Sequence, residues 1–183
     1  MAGNPFEDEP IVSVHPILVY GDPRLEARNA DVEDFGDHLQ ALIADLFETG
    51  WKAPGLGLAA PQIGVNLRLA TVDLSVGKDP DQQLVLVNPE IIEATGSVTL
   101  EEGCLSFPGL FTNIARPRQL VVHAQSRDGE WRDIEASGLL AQAICHEIDH
   151  LDGRLLVHHL RGIKRKMFLR RVAKMRATGV WTG

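Results

Sequence analysis

The run His-Glu-Ile-Asp-His, from His146 to His150, constrains the fold of this chain more than any other segment. In a helix, residues four positions apart share a face, so the two imidazoles would lie one turn apart. Such a pair can chelate a divalent metal, and Glu147 can then take a proton from a water that the metal has acidified. A solvent-exposed helix with two histidines gives the same pattern, so the existence of a third ligand decides between the two interpretations.

Length and composition predict one domain that spans residues 1–183. The chain has 44% hydrophobic and 23% charged residues, which is ordinary for a globular protein. Residues 1–10 are acidic, contain two prolines and are expected to be disordered. No signal peptide and no apolar run of membrane-spanning length is visible, so we expect a cytoplasmic location.

The charge of the chain is unevenly distributed. The net charge is -7, yet no acidic residue follows Asp152, and the last 30 residues contain nine of the 18 basic residues. The spacing predicts a basic C-terminal helix over 157–177 with an apolar stripe formed by Leu160, Ile163, Met167, Phe168, Val172 and Met175. This helix can be a packed amphipathic element whose polar face is basic, or a surface for an anionic partner.

Hydrophobic periodicity predicts an α+β fold. One helix is expected to begin at Asp31, with Gly50 just beyond its end. A second is expected from Gly138 to Asp152, with Ser137 as its cap. Alternating apolar segments and turn residues predict strands at 67–74, 84–92, 95–100, 119–124 and 130–134. We therefore predict antiparallel sheets packed around a central metal-binding helix, with a C-terminal amphipathic helix.

A third metal ligand is hard to find downstream of His150. One metalloprotease class places a third histidine six residues further on, and this position is Leu156 here. His158 and His159 lie beyond the helix-breaking Gly153 and are expected at the surface. A downstream glutamate is excluded because no acidic residue follows Asp152, so the ligand should lie upstream.

Cys104 is the most suitable upstream ligand, because a thiolate binds first-row divalent metals well. A buried cysteine that acts as a small hydrophobic residue is the alternative. Cys145 is a poor candidate, since it points about 100° away from the metal face of the helix. A second segment of interest is the glycine-rich stretch 55–64, whose one polar side chain is Gln62; glycines allow close approach of a ligand to the backbone.

Three segments together resemble the peptide deformylase family in order and spacing. They are Gly-Leu-Gly-Leu-Ala-Ala-Pro-Gln at 55–62, Glu-Gly-Cys-Leu-Ser at 102–106 and His-Glu-Ile-Asp-His-Leu-Asp-Gly at 146–153. The resemblance extends over residues 15–160. It implies a metal-dependent hydrolase that removes the formyl group from the N-terminal formyl-methionine of newly made polypeptides and releases formate.

The resemblance also implies a role for individual residues. It implies that Cys104, His146 and His150 bind the metal and that Glu147 transfers protons. It also implies that Gln62 and the backbone N–H of Leu105 stabilise the oxyanion. Substrate binding falls to Gly57, Leu56, Leu139 and Ala143. The implied cofactor is one divalent metal, Fe²⁺ first, with Zn²⁺ or Ni²⁺ as replacements. The implied partners are N-formyl-methionyl peptides and, through the basic helix, the ribosome.

Three positions depart from the family pattern or have no clear role. Cys145 stands where the family usually has glutamine, Gln142 stands where an apolar pocket residue is expected, and Arg116 could hold either substrate or a strand end. Two alternative functions stay open at this point. They are a metallopeptidase with the same histidine pair and a non-catalytic ribosome-associated metal protein.

Overall fold

The computed structural model describes residues 12–179 and 181, so the predicted disorder of residues 1–10 lies outside the described residues. The helices are α1 (Asp37–Lys52), α2 (Gly138–Leu151) and α3 (Gly162–Ala177). The strands are β1 (Gly57–Ala59), β2 (Leu69–Asp73), β3 (Gln83–Thr95), β4 (Val98–Gly103), β5 (Phe111–Arg116), β6 (Gln119–Gln125) and β7 (Trp131–Ser137). These elements form the α+β fold that the sequence predicts.

Two antiparallel sheets surround α2. The larger sheet has the order β1-β2-β3-β6-β7, and β4 pairs with β5 in the second sheet. Helix α2 contacts strands of both sheets, and its residues Ile144 and Ile148 pack with Val72, Leu86 and Val122 in one core cluster. The site helix is thus fixed along its length by the core, which explains how it can hold side chains in a precise arrangement.

Helix α1 begins six residues later than the sequence predicts. Residues before Asp37 are extended because Val32 exchanges hydrogen bonds with the side chain of Asn88, at 2.8 and 2.9 Å. The carboxylate of Asp34 accepts a hydrogen bond from the N–H of Gly36, just before the helix. Gly50, predicted to lie beyond the C-terminal end, is inside the helix and buried.

Helix α3 begins at Gly162 and not at 157. Leu156 and Val157 are buried in the core, and they belong to a separate 3₁₀ turn, Leu156–His159. The predicted apolar stripe is only partly buried: Phe168 and Val172 are in the core, whereas Ile163 and Met167 are 68% and 57% exposed. The first turns of α3 therefore project into solvent.

Two short strands were not predicted. The glycine-rich stretch contains β1, and β5 pairs with β4 along its whole length, from Val98 opposite Arg116 to Gly103 opposite Phe111. Both β1 and β5 contact α2, so each adjoins the helix that carries the two histidines. Within residues 12–179 and 181, no helix has the length and apolar character needed to cross a membrane.

Candidate active site

The side chains of Cys104, His146 and His150 meet in one cluster. Their candidate ligand atoms all lie within 4.8 Å of one another. The Sγ of Cys104 is 3.2 Å from Nε2 of His150, while His146 turns Nδ1 toward Glu102, which leaves its Nε2 for the cluster. One thiolate and two imidazoles are a donor set that suits Zn²⁺, Ni²⁺ or Fe²⁺, so these residues fit a divalent metal with an open position.

The elements on which these residues lie explain why they meet. The histidines are one turn apart on α2, and Cys104 directly follows β4, the strand beside that helix. A turn closed by the N–H of Phe107 donating to the carbonyl of Cys104, at 2.8 Å, holds the loop in place. The third ligand candidate therefore comes from the loop after β4 and not from α2, which matches the upstream position expected from the sequence.

The histidines also favour the metal-binding form of the cysteine. Burial alone would raise the pKa of the Cys104 thiol, but the neighbouring charges of His150 and His146 hold that pKa well below its usual value. Burial acts to lower the pKa of His146, and the nearby thiolate raises it well above the usual value. A thiolate is the form of cysteine that coordinates metals.

Glu147 lies beside the cluster in a buried position. It is 3% exposed, and burial raises the pKa of its carboxyl group to about 7. Among the described residues, no group donates a hydrogen bond to its buried Oε2. A Cβ atom at Gly57 would lie 2.5 Å from Oε1 of Glu147, so only glycine leaves room for this carboxylate. A carboxyl group with a pKa near neutrality can both accept and release a proton.

Gln62 and Leu105 both line the space beside the cluster, and each carries a hydrogen-bond donor. The N–H of Ala59 donates to Oε1 of Gln62 at 2.9 Å, which turns the Gln62 Nε2 toward Sγ of Cys104, at 3.8 Å, and toward Oγ of Ser106, at 3.2 Å. Within residues 12–179 and 181, no backbone carbonyl accepts the N–H of Leu105. Donors held in this way can stabilise negative charge that develops on a substrate oxygen.

An open cleft of about 610 Å³ leads to the cluster. Its walls include Gly55–Gly57 at the edge of the larger sheet and Glu101–Gly103 at the edge of the smaller one. The predicted substrate-binding residues all line it: Leu56, Gly57, Leu139 and Ala143. Gln142 also lines the cleft, and its Nε2 donates to the carbonyl of Glu101 at 3.4 Å.

Comparison with known proteins agrees with this arrangement. The family model described as polypeptide deformylase matches residues 14–166. The chain belongs to the polypeptide deformylase family. A peptide deformylase of Acidobacterium capsulatum is 45% identical over 168 residues, which cover 92% of this chain and 99% of that protein.

Solved structures of the family share this fold. The crystal structure of a peptide deformylase from Legionella pneumophila has a TM-score of 0.86 and 42% identity, and covers 93% of this chain and 100% of that one. The peptide deformylase from Thermotoga maritima has a TM-score of 0.76 and 36% identity, over 82% of this chain and 99% of that one. These findings confirm the predicted family, the α+β fold and the enzyme class: a metal-dependent hydrolase that deformylates newly made polypeptides. Neither the metallopeptidase nor the non-catalytic metal protein is favoured.

Arg116 lies in a buried ionic network next to the cluster. Its guanidinium donates to both oxygens of Glu102, at 2.8 and 2.9 Å, and to Oδ2 of Asp149 at 2.6 Å. Burial alone would raise the pKa of Glu102, but Arg116 and His146 lower it to about 2. Arg116 therefore contacts two carboxylates of the protein and does not line the cleft. Glu102 and Asp149 were not among the predicted site residues, although both lie inside the recognised motifs.

The histidines after the helix differ from each other. Both were expected at the surface, and this is correct for His158, which contacts Glu26 at 3.0 Å. It is wrong for His159, whose side chain is only 17% exposed and lies 2.6 Å from Oδ2 of Asp149. The chain can turn in this way because Gly153 ends α2 with a positive φ of 67°, where a Cβ atom would lie 2.8 Å from the carbonyl of Glu26.

Proposed function

We propose that Cys104, His146 and His150 hold one divalent metal, and that Glu147 carries the proton transfers of formamide hydrolysis. The convergence of a thiolate, two imidazoles and a buried carboxylate with a pKa of about 7 in one cleft supports this assignment. When bound, the cation would supply Lewis acidity that polarises the formyl carbonyl and acidifies the attacking water.

The proton path follows from the position of Glu147. Its carboxylate takes a proton from the attacking water and passes it to the nitrogen of the leaving amine, so formate and a free N-terminus result. Burial keeps bulk water away from this carboxyl group, which limits loss of the transferred proton to solvent.

The charge that develops on the formyl oxygen needs donors that are already in place. We assign this role to the Nε2 of Gln62 and the N–H of Leu105, both fixed before substrate binds. Donors of this kind contribute about 10²- to 10³-fold to kcat each, because they need no reorganisation during the reaction.

The peptide is proposed to lie between the edges of β1 and β4. Gly57 of β1 and Glu102 of β4 both line the open cleft, and each of these strands is at the edge of its sheet. The methionine side chain would then contact Leu56, Leu139 and Ala143, which line that cleft.

Formate release from an N-formyl-methionyl peptide tests the mechanism. Protein loaded with iron under anaerobic conditions is compared with Glu147→Gln, which keeps the shape of the side chain and removes its basic group. We expect kcat to fall about 10²- to 10⁴-fold with the metal content unchanged. Equal rates for the two proteins would refute the assignment.

Fe²⁺ is the proposed native metal, with Zn²⁺ and Ni²⁺ as replacements. Ligand softness alone favours zinc, so this choice follows the family resemblance. Metal analysis of protein purified without oxygen, followed by reconstitution with each ion, tests it. Activity that is highest with zinc would contradict the proposal.

The ribosome is the proposed partner of α3, and the cytoplasm the proposed location. Within residues 12–179 and 181, the exposed Lys164, Arg165, Lys166 and Arg171 form no ion pair with an acidic side chain. A cationic helix on an acidic protein attracts the phosphate backbone of RNA without further contacts.

Co-sedimentation with ribosomes tests this partner. Deletion of the helix is unsuitable, because Phe168, Val172 and Trp181 belong to the core. Replacement of Lys164 and Arg165 by glutamine leaves the core intact and should weaken sedimentation, as should a rise in salt. Sedimentation that neither change affects would refute the role of α3.

A further inference from the structure

A continuous chain of hydrogen bonds connects the protein surface with the metal cluster. It starts at His159, whose Nε2 lies 2.6 Å from Oδ2 of Asp149. Arg116 donates to the same Oδ2 at 2.6 Å and to both oxygens of Glu102. Glu102 Oε2 then lies 3.3 Å from Nδ1 of His146. The five side chains come from the 3₁₀ turn, α2, β5 and β4, so the chain of contacts crosses the whole site.

The hydrogen bonds of Asp149 in this chain depend on His159. Two buried carboxylates, Glu102 and Asp149, share the single guanidinium of Arg116. Among the residues that the structure describes, Asp149 has one further close side-chain donor, His159, since the Nε of Arg154 is 3.8 Å away and that side chain is more than half exposed. Without His159, Asp149 would draw Arg116 away from its planar, two-point contact with Glu102.

Glu102 in turn sets the orientation of His146. A carboxylate held by an arginine can only accept hydrogen bonds, so Nδ1 of His146 must carry the proton. In the neutral form that binds a metal, the lone pair of this imidazole is then on Nε2, which faces the cluster. Carboxylates in this position commonly orient metal-binding histidines, and their loss weakens metal binding.

We propose that His159 is a positioning residue of the metal site. Through Asp149 and Arg116 it keeps Glu102 against His146, although His159 itself contacts neither metal ligand nor substrate. The inference rests on the metal set proposed above. Because it concerns metal binding, it can be tested without any measurement of deformylation.

The test compares His159→Ala with His158→Ala, a matched control on the same 3₁₀ turn. His158 is the neighbouring residue and is more exposed. Its side-chain contacts, with Glu26 and with the N–H of Leu155, lie outside the chain of contacts. The probe is Co²⁺, whose dissociation constant and visible absorption spectrum report the ligand geometry. We expect His159→Ala to weaken cobalt binding about three- to tenfold and to change the spectrum, and His158→Ala to do neither. His159→Gln, whose side chain can still donate to Asp149, should restore most of the affinity.

A double variant separates positioning from a general loss of stability. Glu102→Gln should weaken cobalt binding about 10- to 100-fold, because it breaks the contact with His146 directly. In that background His159→Ala should have no further effect, since the connection to His146 is already lost. Additive effects, or equal cobalt affinities for His159→Ala and the wild type, would overturn the proposal. None of these cobalt measurements bears on formate release by the wild type. The proposed function is therefore refuted only by the formate assay described for it.

Discussion

Alanine at Gly57 should impair Glu147 without removing any charged or polar group. The added Cβ would lie 2.5 Å from Oε1 of Glu147, 2.9 Å from Cδ and 3.0 Å from Cγ. Carbon–oxygen contacts are favourable near 3.5 Å, so the carboxylate must move by about 1 Å. Glu147 is 3% exposed and cannot turn into solvent, which means that it moves within the site.

The size of this displacement sets the expected loss of activity. A misplacement of about 1 Å costs on the order of 10²-fold in rate, which corresponds to about 2.7 kcal/mol in the activation free energy. The loss should appear in kcat, because proton transfer is affected. KM should change little, since the added methyl group meets Glu147 and not the far wall of the cleft.

Formate release with kcat and KM determined separately is the assay, at equal metal content. Gly50→Ala is the control: its added Cβ would lie 3.7 Å from Cβ of Leu58, an ordinary contact. In the Glu147→Gln background, Gly57→Ala should have little further effect on kcat. An unchanged kcat with a raised KM would refute this reasoning and would indicate that Gly57 serves only the approach of substrate.

Three further predictions concern the groups around the cluster. Gln62→Ala should lower kcat about 10²- to 10³-fold while cobalt affinity stays the same, which separates an oxyanion donor from a structural residue. Arg116→Met leaves two buried carboxylates without their shared cation and should lower the free energy of unfolding in urea by about 3–5 kcal/mol; a loss below 1 kcal/mol would contradict the buried network. Glu102 has a folded-state pKa of about 2 against the usual 4.5, so its stabilising contribution is complete above pH 4.5 and is lost as the pH falls toward 2. Urea unfolding across this range should show a shallower loss of stability for Glu102→Gln than for the wild type.

The central helix and four of the five strands of the larger sheet were predictable because their signals are local. The observed end of helix α2 is Leu151, one residue before the predicted end. The prediction was close because the spacing of His146 and His150 and the helix-ending Gly153 are features of one short segment. The strands β2, β3, β6 and β7 overlap the predicted segments for the same reason, namely alternation of apolar residues between turn signals.

The errors concern features that depend on distant contacts. The start of α1 is decided by Asn88, 56 residues away from Val32, and no local pattern at 31–36 contains that information. Ile163 and Met167 have the spacing of an apolar helix face but are exposed. Only the later turns of α3, with Phe168 and Val172, pack in the core cluster that contains Phe107 and Trp181. A polar residue after a helix end, such as His159, is expected at the surface. It contacts Asp149 only because the chain turns back toward α2 after Gly153.

Two glutamates beside His146 show how position divides chemical roles. Burial is the largest influence on both carboxyl groups, and it acts to raise both pKa values. Arg116 contacts Glu102 directly and reverses the effect there, to a pKa of about 2, while Glu147 has no such contact and stays near 7. Glu102 is therefore a permanent acceptor that can orient an imidazole, and Glu147 can exchange protons at neutral pH. The placement of one arginine behind the helix, rather than any difference between the carboxyl groups, separates the orienting residue from the reacting one.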